Sequence, residues 1–343
     1  MITGHGDDLY QYDGIRMNFS SNIYSHANLS GLKDYLKEHM DVIGSYPEPQ
    51  PFTLEAMLAE RHGIPQECVM VTNGATEAIY LIAQTFRNGV DLPPHTPRYI
   101  IHRPTFSEYE DAMNMYGYRM AEDKEDTEGD TLVWLCNPNN PTGEVKSIDN
   151  VRQMLDDRSR LYIIDQSYED HTKARIMYPK EGIGYENLIQ IHSMTKTYAV
   201  PGLRLGYITA TKDLVGRIRK YQHPWSVNAL AIVAGQYLLS HDTKAVADLD
   251  TYLAETHRLR EALQHINGLE TDDTETNFML CRLQKGKAYD LKIWLAETQG
   301  ILIRDASNFK GLDEHCFRIA TQAPHENDLL VEAIANYIKR NRE

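Results

Sequence analysis

The sequence has no run of apolar residues long enough to cross a bilayer, and its mean hydropathy is -0.50. Its opening segment, MITGHGDDLY, is polar and acidic, without the basic start or the apolar stretch of a secretory signal. These absences argue against a membrane protein. They predict that the chain stays in the cytoplasm.

Positive charge is also scarce. The chain has 35 Lys and Arg residues against 49 Asp and Glu residues, which gives a formal net charge of -14. Nucleic-acid binding depends on clustered Lys and Arg side chains that neutralise phosphates. The composition therefore argues against a nucleic-acid partner, and an anionic ligand would have to be held by a local pocket.

The chain has only four cysteines, and they are widely spaced: Cys68, Cys136, Cys281 and Cys316. No two of them form a C-x-x-C pair, so the sequence indicates neither a zinc site nor a disulfide framework. Free cysteine is among the residue types that are most often buried. We therefore expect four buried thiols and no bound metal.

What the sequence does contain is an alternation of short apolar runs and helical patterns. The apolar runs lie at 69–72, 98–102, 131–136, 161–165, 188–193 and 204–210. This alternation predicts an α/β fold with a mostly parallel central sheet that is covered by helices on both faces. Most of the runs end in small or polar residues, and ligands bind at the carboxyl ends of strands in such sheets. The functional residues should therefore meet at one edge.

A length of 343 residues allows one large domain and a smaller one. After Asn228 the pattern changes, and a long helical stretch at 246–266 leads into a smaller α+β pattern. We predict an N-terminal arm (1–25), a large ligand-binding domain (26–240) and a small C-terminal domain (241–343). The long helix would join the two domains.

The strongest chemical signal is the segment IHSMTKTYAVPGLRLGY (191–207). It sets Ser193, Thr195 and Lys196 beside a strand end and places Arg204 eight residues after the lysine. A lysine that forms a Schiff base must reach a carbonyl carbon, while hydroxyl groups and a guanidinium bind a dianionic phosphate. The spacing in this segment supplies all of these groups.

Two other interpretations of this segment stay open at this point. In the first, Lys196 is an ordinary surface lysine and Arg204 is a structural arginine. In the second, the S-x-x-K pattern makes Ser193 an acyl-accepting nucleophile with Lys196 as its partner. The companion motifs S-D-N and K-T-G are absent from the sequence, which argues against the second interpretation.

The apolar run LYIID ends in Asp165, and Tyr168 follows three residues later. A carboxylate at this strand end, beneath a pyridine ring, would keep the ring nitrogen protonated, and the cationic ring is an electron sink. Tyr168 would donate to the phenolic oxygen of the ring. Taken by itself, the strand also permits an aspartate that only caps the next loop.

Two further turns follow strands. The segment CNPNNPTG (136–143) is fixed by prolines and a glycine and projects the amide of Asn140. In TNGATEAI a strand passes through Gly74 into a helix, whose free amides at Ala75 and Thr76 form an anion site. Each turn alone is also explained by ordinary turn chemistry.

Taken in order, NGATE, PTF, NPNNPTG, D-x-x-Y and S-x-T-K followed by PGLRLGY resemble the class I and II aminotransferases, a family of fold-type I pyridoxal 5'-phosphate enzymes. The resemblance covers almost the whole chain. It implies that Lys196 forms the Schiff base with pyridoxal phosphate and that Asp165 pairs with the ring nitrogen. Tyr168 and Asn140 resemble the donors to the phenolic oxygen.

The same resemblance implies the remaining contacts to cofactor and substrate. Phe106 matches the aromatic that stacks on the ring face, and Arg318 matches the arginine that holds the substrate carboxylate. Tyr46 resembles the tyrosine that reaches the phosphate of the neighbouring subunit, which implies a homodimer with shared sites. The other implied cofactor contacts are Gly74, Ala75, Thr76, Ser193, Thr195 and Arg204.

Finer features narrow the resemblance. HG (5–6), FSSNI (19–23), PWSVNALA (224–231) and the segment 301–320 are similar to the threonine-phosphate decarboxylases of cobalamin side-chain synthesis, more than to histidinol-phosphate aminotransferases. This resemblance implies decarboxylation of L-threonine O-3-phosphate to (R)-1-amino-2-propanol O-2-phosphate. In both groups the substrate is a small molecule with a phosphate at one end.

The residue chemistry agrees with a substrate that has two anionic ends. Arg304 and Arg318 fall on neighbouring elements and would bind a phosphate and a carboxylate. His5 and Asn22 resemble further contacts to the phosphate. Tyr168, however, follows the aminotransferase pattern, so transamination of the histidinol-phosphate type is the alternative. A remote alternative is a regulatory module that binds the cofactor without turnover.

Overall fold

The computed structural model describes residues 7–87, 97–121 and 131–341. Its strands are β1 (Met17–Asn18), β2 (Val69–Thr72), β3 (Arg98–Ile101), β4 (Arg119–Met120), β5 (Thr131–Cys136), β6 (Arg160–Asp165), β7 (Leu188–Ser193), β8 (Gly206–Ala210), β9 (Leu269–Thr271), β10 (Phe278–Leu283), β11 (Ile301–Leu302), β12 (Arg304–Asp305) and β13 (Cys316–Ala320). Its helices are α1 (Ser30–Glu38), α2 (Phe52–His62), α3 (Gly74–Arg87), α4 (Glu108–Met115), α5 (Ile148–Leu155), α6 (Pro179–Gly182), α7 (Met194–Thr197), α8 (Lys212–Arg219), α9 (Ala229–His241), α10 (Leu249–Gln264), α11 (Ala288–Trp294) and α12 (Pro324–Arg340).

Seven strands form the large sheet, in the order β2-β8-β7-β6-β5-β3-β4. Strands β7, β6, β5, β3 and β4 run parallel, whereas β8 pairs antiparallel with β7 and with β2. Every residue of β5 and β7 is buried, because helices cover both faces of the sheet. The predicted α/β fold with a mostly parallel sheet is confirmed.

Alternate residues of the central strands point into two different cores. Trp134 of β5 packs with Ile79 of α3 in the core on one face, whereas the preceding Val133 packs with Leu155 of α5 on the other. Both faces of β5 are therefore apolar. This leaves the ends of the strands as the places where polar side chains can project.

The predicted start of one strand is wrong by two residues. The apolar run begins at 204, but β8 begins at Gly206, because Arg204 has φ 57° in the left-handed region and cannot be part of a strand. The four cysteines are buried and free, as predicted. Within the described ranges, no helix is long and apolar enough to span a membrane.

The C-terminal part of the chain forms a smaller α+β unit. Its antiparallel sheet has the order β12-β13-β10-β9 and packs against α10, α11 and α12 through residues such as Leu263, Leu291 and Ile334. Strand β1 pairs parallel with β11, so the N-terminal segment is joined to this unit. The smaller C-terminal domain is confirmed, while the domain boundaries near residues 25 and 240 stay a prediction.

Candidate active site

The carboxyl ends of β5, β6 and β7 meet at one edge of the large sheet, beside a cavity of about 360 Å³. A cavity of this size accommodates a small-molecule ligand. Most of the predicted site residues line it, namely Ala75, Thr76, Phe106, Asn140, Asp165, Tyr168, Ser193, Thr195, Lys196, Arg204, Arg304 and Arg318. The large sheet supplies one wall, and the small C-terminal sheet supplies the two arginines of β12 and β13.

Lys196 lies on the short helix α7, directly after β7. Its Nζ donates a hydrogen bond to the carbonyl oxygen of Ser21 at 2.7 Å. Burial lowers the pKa of Lys196 to about 7, and the nearby positive charges of Arg318 and Arg204 lower it further in the same direction. A substantial fraction of the amine is therefore neutral near pH 7, which is the form that attacks a carbonyl carbon.

Asp165 is the last residue of β6, and its carboxylate is buried. Tyr109 donates its hydroxyl to Oδ2 at 2.8 Å, while the backbone N–H and the hydroxyl of Ser167 donate to Oδ1 at 2.9 and 2.6 Å. Burial raises the pKa of Asp165, and these donors oppose the increase. A cation brought into the cavity would stabilise the ionised carboxylate more strongly than these neutral donors do.

Arg318 is 4% exposed and is held by two acceptors. Its Nη2 donates to the carbonyl oxygen of Ser20 at 2.5 Å, and its Nη1 donates to Oδ1 of Asn140. Its Nε is buried and has no hydrogen-bond partner. An unpaired buried donor is costly, so this guanidinium is arranged for an anionic ligand.

The segment from Phe19 to Asn22, which we call the FSSN segment, contacts three site residues in succession. The carbonyl oxygens of Ser20 and Ser21 accept from Arg318 and Lys196, as described above. The Nδ2 of Asn22 then donates to the hydroxyl of Tyr168 at 3.2 Å, and its Oδ1 is buried without a partner. The sequence pattern singled out Asn22 alone, because contacts through backbone carbonyls leave no side-chain signature.

The N-terminus of α3 and Arg204 form a second polar part of the cavity. Gly74 has φ 80°, and a Cβ at this position would lie 2.7 Å from Nη2 of Arg204. Only glycine therefore lets the guanidinium approach the first turn of the helix, where Ala75 and Thr76 line the cavity. The free backbone amides of a helix start and a neighbouring arginine together suit a phosphate.

Three predicted residues are not among the side chains that line the cavity. Asn22 lies behind Tyr168, and His5 is outside the described residues. Tyr46 is 86% exposed, and its ring packs 5.3 Å from the ring of Trp225, which is also exposed. Its predicted role requires a second subunit and stays a prediction.

The structure adds residues that the sequence patterns did not identify. Tyr109 lies edge-on to Phe106 at 5.7 Å and donates to Asp165, so the spacing F-x-x-Y after the third strand was the available signal. Phe309 and Asp7 also line the cavity. They come from a loop of the small domain and from the N-terminal arm, where no strand end directs attention.

Comparison with known proteins gives the family. Residues 15–336 match the family model described as aminotransferase class I and II. The chain is 30% identical to the threonine-phosphate decarboxylase of Salmonella typhimurium, covering 94% of this chain and 91% of that protein. It is also 30% identical to the histidinol-phosphate aminotransferase of Caldanaerobacter subterraneus subsp. tengcongensis, covering 88% of each.

A solved structure supports the same assignment. The crystal structure of L-threonine-O-3-phosphate decarboxylase from Porphyromonas gingivalis matches with a TM-score of 0.87 and 36% sequence identity, covering 94% of this chain and 100% of that one. The family model itself spans nearly the whole chain. This chain therefore belongs to the class I and II aminotransferases, a family of pyridoxal-phosphate-dependent enzymes.

Proposed function

We propose that the protein decarboxylates L-threonine O-3-phosphate to (R)-1-amino-2-propanol O-2-phosphate. The observation that carries this proposal is the pair formed by Arg304 and Arg318, which are direct partners across β12 and β13 and both line the cavity. Like charges directly opposite on a sheet are destabilising. Burial and the charge of Arg318 together lower the pKa of Arg304 to about 10. Such a pair suits a ligand with two anionic groups.

The residues of the cavity fit pyridoxal phosphate. Lys196 offers a largely desolvated amine, and the buried carboxylate of Asp165 suits a protonated ring nitrogen. The glycine that admits Arg204 to the start of α3 leaves a phosphate-sized anion site. When bound, pyridoxal phosphate supplies an electron sink for the bond of the substrate's α carbon that lies perpendicular to its ring.

The two arginines would hold the two ends of the substrate. Arg318 suits the carboxylate, since Ser20 and Asn140 fix its fork and its Nε is unpaired. Arg304 suits the phosphate: its Nη2 donates to Oδ1 of Asn308 at 2.7 Å, and its Cζ lies 5.3 Å from the ring centroid of Phe309. Contacts of His5 and Asn22 to the phosphate stay predictions.

Fixing both ends determines which bond of the α carbon is presented for cleavage. In the proposed reaction the bond from the α carbon to the carboxylate breaks, carbon dioxide leaves, and a proton takes its place. Lys196 is the group placed to return that proton, because its pKa of about 7 lets Nζ carry and release a proton near neutral pH.

The relatives at comparable identity support two reaction types, decarboxylation and transamination. Tyr168 favours the second candidate, because it occupies the D-x-x-Y position of the aminotransferase pattern and lies in the cavity. Lys196 serves both reactions. The difference between them therefore depends on how the substrate is oriented and has to be measured on the products.

The deciding experiment follows both products separately. The purified holoenzyme is incubated with L-threonine O-3-phosphate, and in a second reaction with L-histidinol phosphate and 2-oxoglutarate. We expect one carbon dioxide for each threonine phosphate consumed, and little glutamate in either reaction. Glutamate formation from histidinol phosphate, with no carbon dioxide above background from threonine phosphate, would reject the decarboxylase and leave the aminotransferase.

Replacing Arg304 by Ala is expected to lower kcat/KM for threonine phosphate about 10- to 150-fold, since a charge-assisted hydrogen bond contributes about 1.5–3 kcal/mol. The loss for unphosphorylated L-threonine should be much smaller. The matched control is Arg282→Ala on the neighbouring β10, where the arginine pairs with Asp313 outside the cavity. Equal losses on the two substrates would show that Arg304 does not recognise the phosphate.

We also propose that the protein is a homodimer. The exposed pair of Tyr46 and Trp225 supports this, because a large aromatic surface away from the cavity suits a subunit contact. Sedimentation equilibrium of the purified protein would test it, and a monomer at micromolar concentration would reject it. A cytoplasmic location stays a prediction.

A further inference from the structure

The FSSN segment positions three site residues, so whatever fixes this segment also affects the site. Within it, the carbonyl oxygen of Ser20 is one of only two acceptors that hold the fork of Arg318 in the described part of the chain. The other acceptor is Asn140, on the opposite side of the cavity. The orientation of Arg318 therefore depends on where the backbone at Ser20 lies.

A closed ring of hydrogen bonds fixes the backbone at Ser20. The backbone N–H of Asp7 donates to the hydroxyl of Ser20 at 3.0 Å, and that hydroxyl donates to Oδ1 of Asn18 at 2.7 Å. The Nδ2 of Asn18 closes the ring by donating to Oδ1 of Asp7 at 2.7 Å. We call these three residues the Asp7 latch.

The latch connects the N-terminal arm to the substrate end of the cavity. Asn18 belongs to β1, which pairs with β11 just before Arg304, and its Oδ1 also accepts from the backbone N–H of Ser20 at 2.9 Å. Next to the latch, Asp8 forms an ion pair with the buried Lys292 of α11. The arm is therefore held on both sides of the point at which it meets Ser20.

Asp7 itself is an unusual residue for its position. Its φ is 64°, in the left-handed region that non-glycine residues rarely adopt, and it lines the cavity. A glycine would take this backbone conformation without strain. Strained residues gather at functional sites, where the side chain serves a purpose that the backbone conformation opposes.

We infer that the Asp7 latch is a positioning device for Arg318, in which Asp7 and Asn18 hold the carbonyl of Ser20 so that the guanidinium is oriented for the α-carboxylate of the substrate. Orienting the fork in advance reduces the entropy lost when the carboxylate binds. The inference rests on the proposed role of Arg318 in binding that carboxylate, which decarboxylation and transamination both require.

The test breaks the latch and then restores it with the charge moved. In Asn18→Asp two carboxylates face each other at pH 8, where carboxyl groups are ionised, and the ring opens. In the double variant Asp7→Asn with Asn18→Asp the new amide donates to the new carboxylate, and the latter still accepts from Ser20. The pair of variants therefore separates the latch from the charge at position 7.

The readout compares ligands with and without an α-carboxylate in one assay of the holoenzyme. For Asn18→Asp we expect KM for threonine phosphate to rise about tenfold, the effect of losing one well-oriented charge-assisted contact. The inhibition constant of 1-amino-2-propanol phosphate, which lacks the carboxylate, should change less than about twofold on the same scale. The double variant should return KM to within about twofold of wild type.

Two outcomes would overturn the inference: an equal weakening of both ligands, or no recovery in the double variant. If Asn18→Asp does not fold, Asp7→Gly removes the side chain at a position where glycine is unstrained and must give the same split between KM and the inhibition constant. If threonine phosphate is not a substrate, L-glutamate as amino donor and L-histidinol phosphate as its carboxylate-free competitor give the same comparison. A failed decarboxylase proposal is thereby distinguished from a failed latch.

Discussion

Replacing Lys196 by Met is expected to lower kcat/KM by at least about 10⁴-fold, the upper end of what one positioned proton-transfer group contributes. The substitution removes both the amine that would attach to pyridoxal phosphate and the group that would return the proton to the α carbon. Met has a similar length and apolar stem, so the cavity keeps its shape. Steady-state rates with threonine phosphate give the measurement.

The attachment itself can be located without an activity assay. Borohydride reduction of the yellow wild-type holoenzyme, followed by peptide mapping, should place the cofactor on Lys196. The matched control is Lys173→Met, since Lys173 is exposed and pairs with Asp250 outside the cavity. Recovery of the cofactor on another lysine would refute the assignment of Lys196.

The same substitution has a signature in the stability of the apoprotein. Burial lowers the pKa of Lys196 to about 7 in the folded state, whereas an unfolded lysine titrates near 10.4. Between about pH 7 and 10.4 the unfolded chain binds more protons, so the free energy of unfolding rises with pH there. Lys196→Met should lose this part of the slope, and Lys173→Met should keep it.

Much of the site could be predicted because of the topology that the sequence encodes. Strands β5, β6 and β7 are parallel neighbours, so the residues that follow their ends are forced to one edge. Asn140, Asp165 and Lys196 lie within a few residues of those ends, and their side chains reach one cavity. Short-range order along the chain was sufficient for these three.

The rest of the site depends on contacts between distant parts of the chain. Tyr109 reaches Asp165 from a helix 56 positions earlier, and its position is set by packing on Trp134. Ser20 and Ser21 act through backbone carbonyls, which every residue has, so no residue type marks them. The long-range pairing of β1 with β11 brings them to the site, and a local pattern does not show that pairing.

Replacing Asp165 by Asn is expected to lower kcat/KM about 150- to 5,000-fold, because removing one partner of a buried ion pair costs about 3–5 kcal/mol. The amide keeps the shape of the carboxylate and its Oδ1 still accepts from Ser167. What is lost is the negative charge that a protonated ring nitrogen needs. The measurement is kcat/KM together with the dissociation constant of the cofactor.

The charge of Asp165 can be separated from its hydrogen bonds. Tyr109→Phe removes one of the donors that oppose the burial-induced rise in the pKa of Asp165, but leaves both donors of Ser167. Because the carboxylate keeps its charge, we expect this variant to lose no more than about tenfold. Asp149→Asn, an exposed carboxylate on α5, is the control for the substitution itself. If Asp165→Asn keeps activity within tenfold of wild type while cofactor binding is unchanged, the carboxylate does not serve the ring nitrogen.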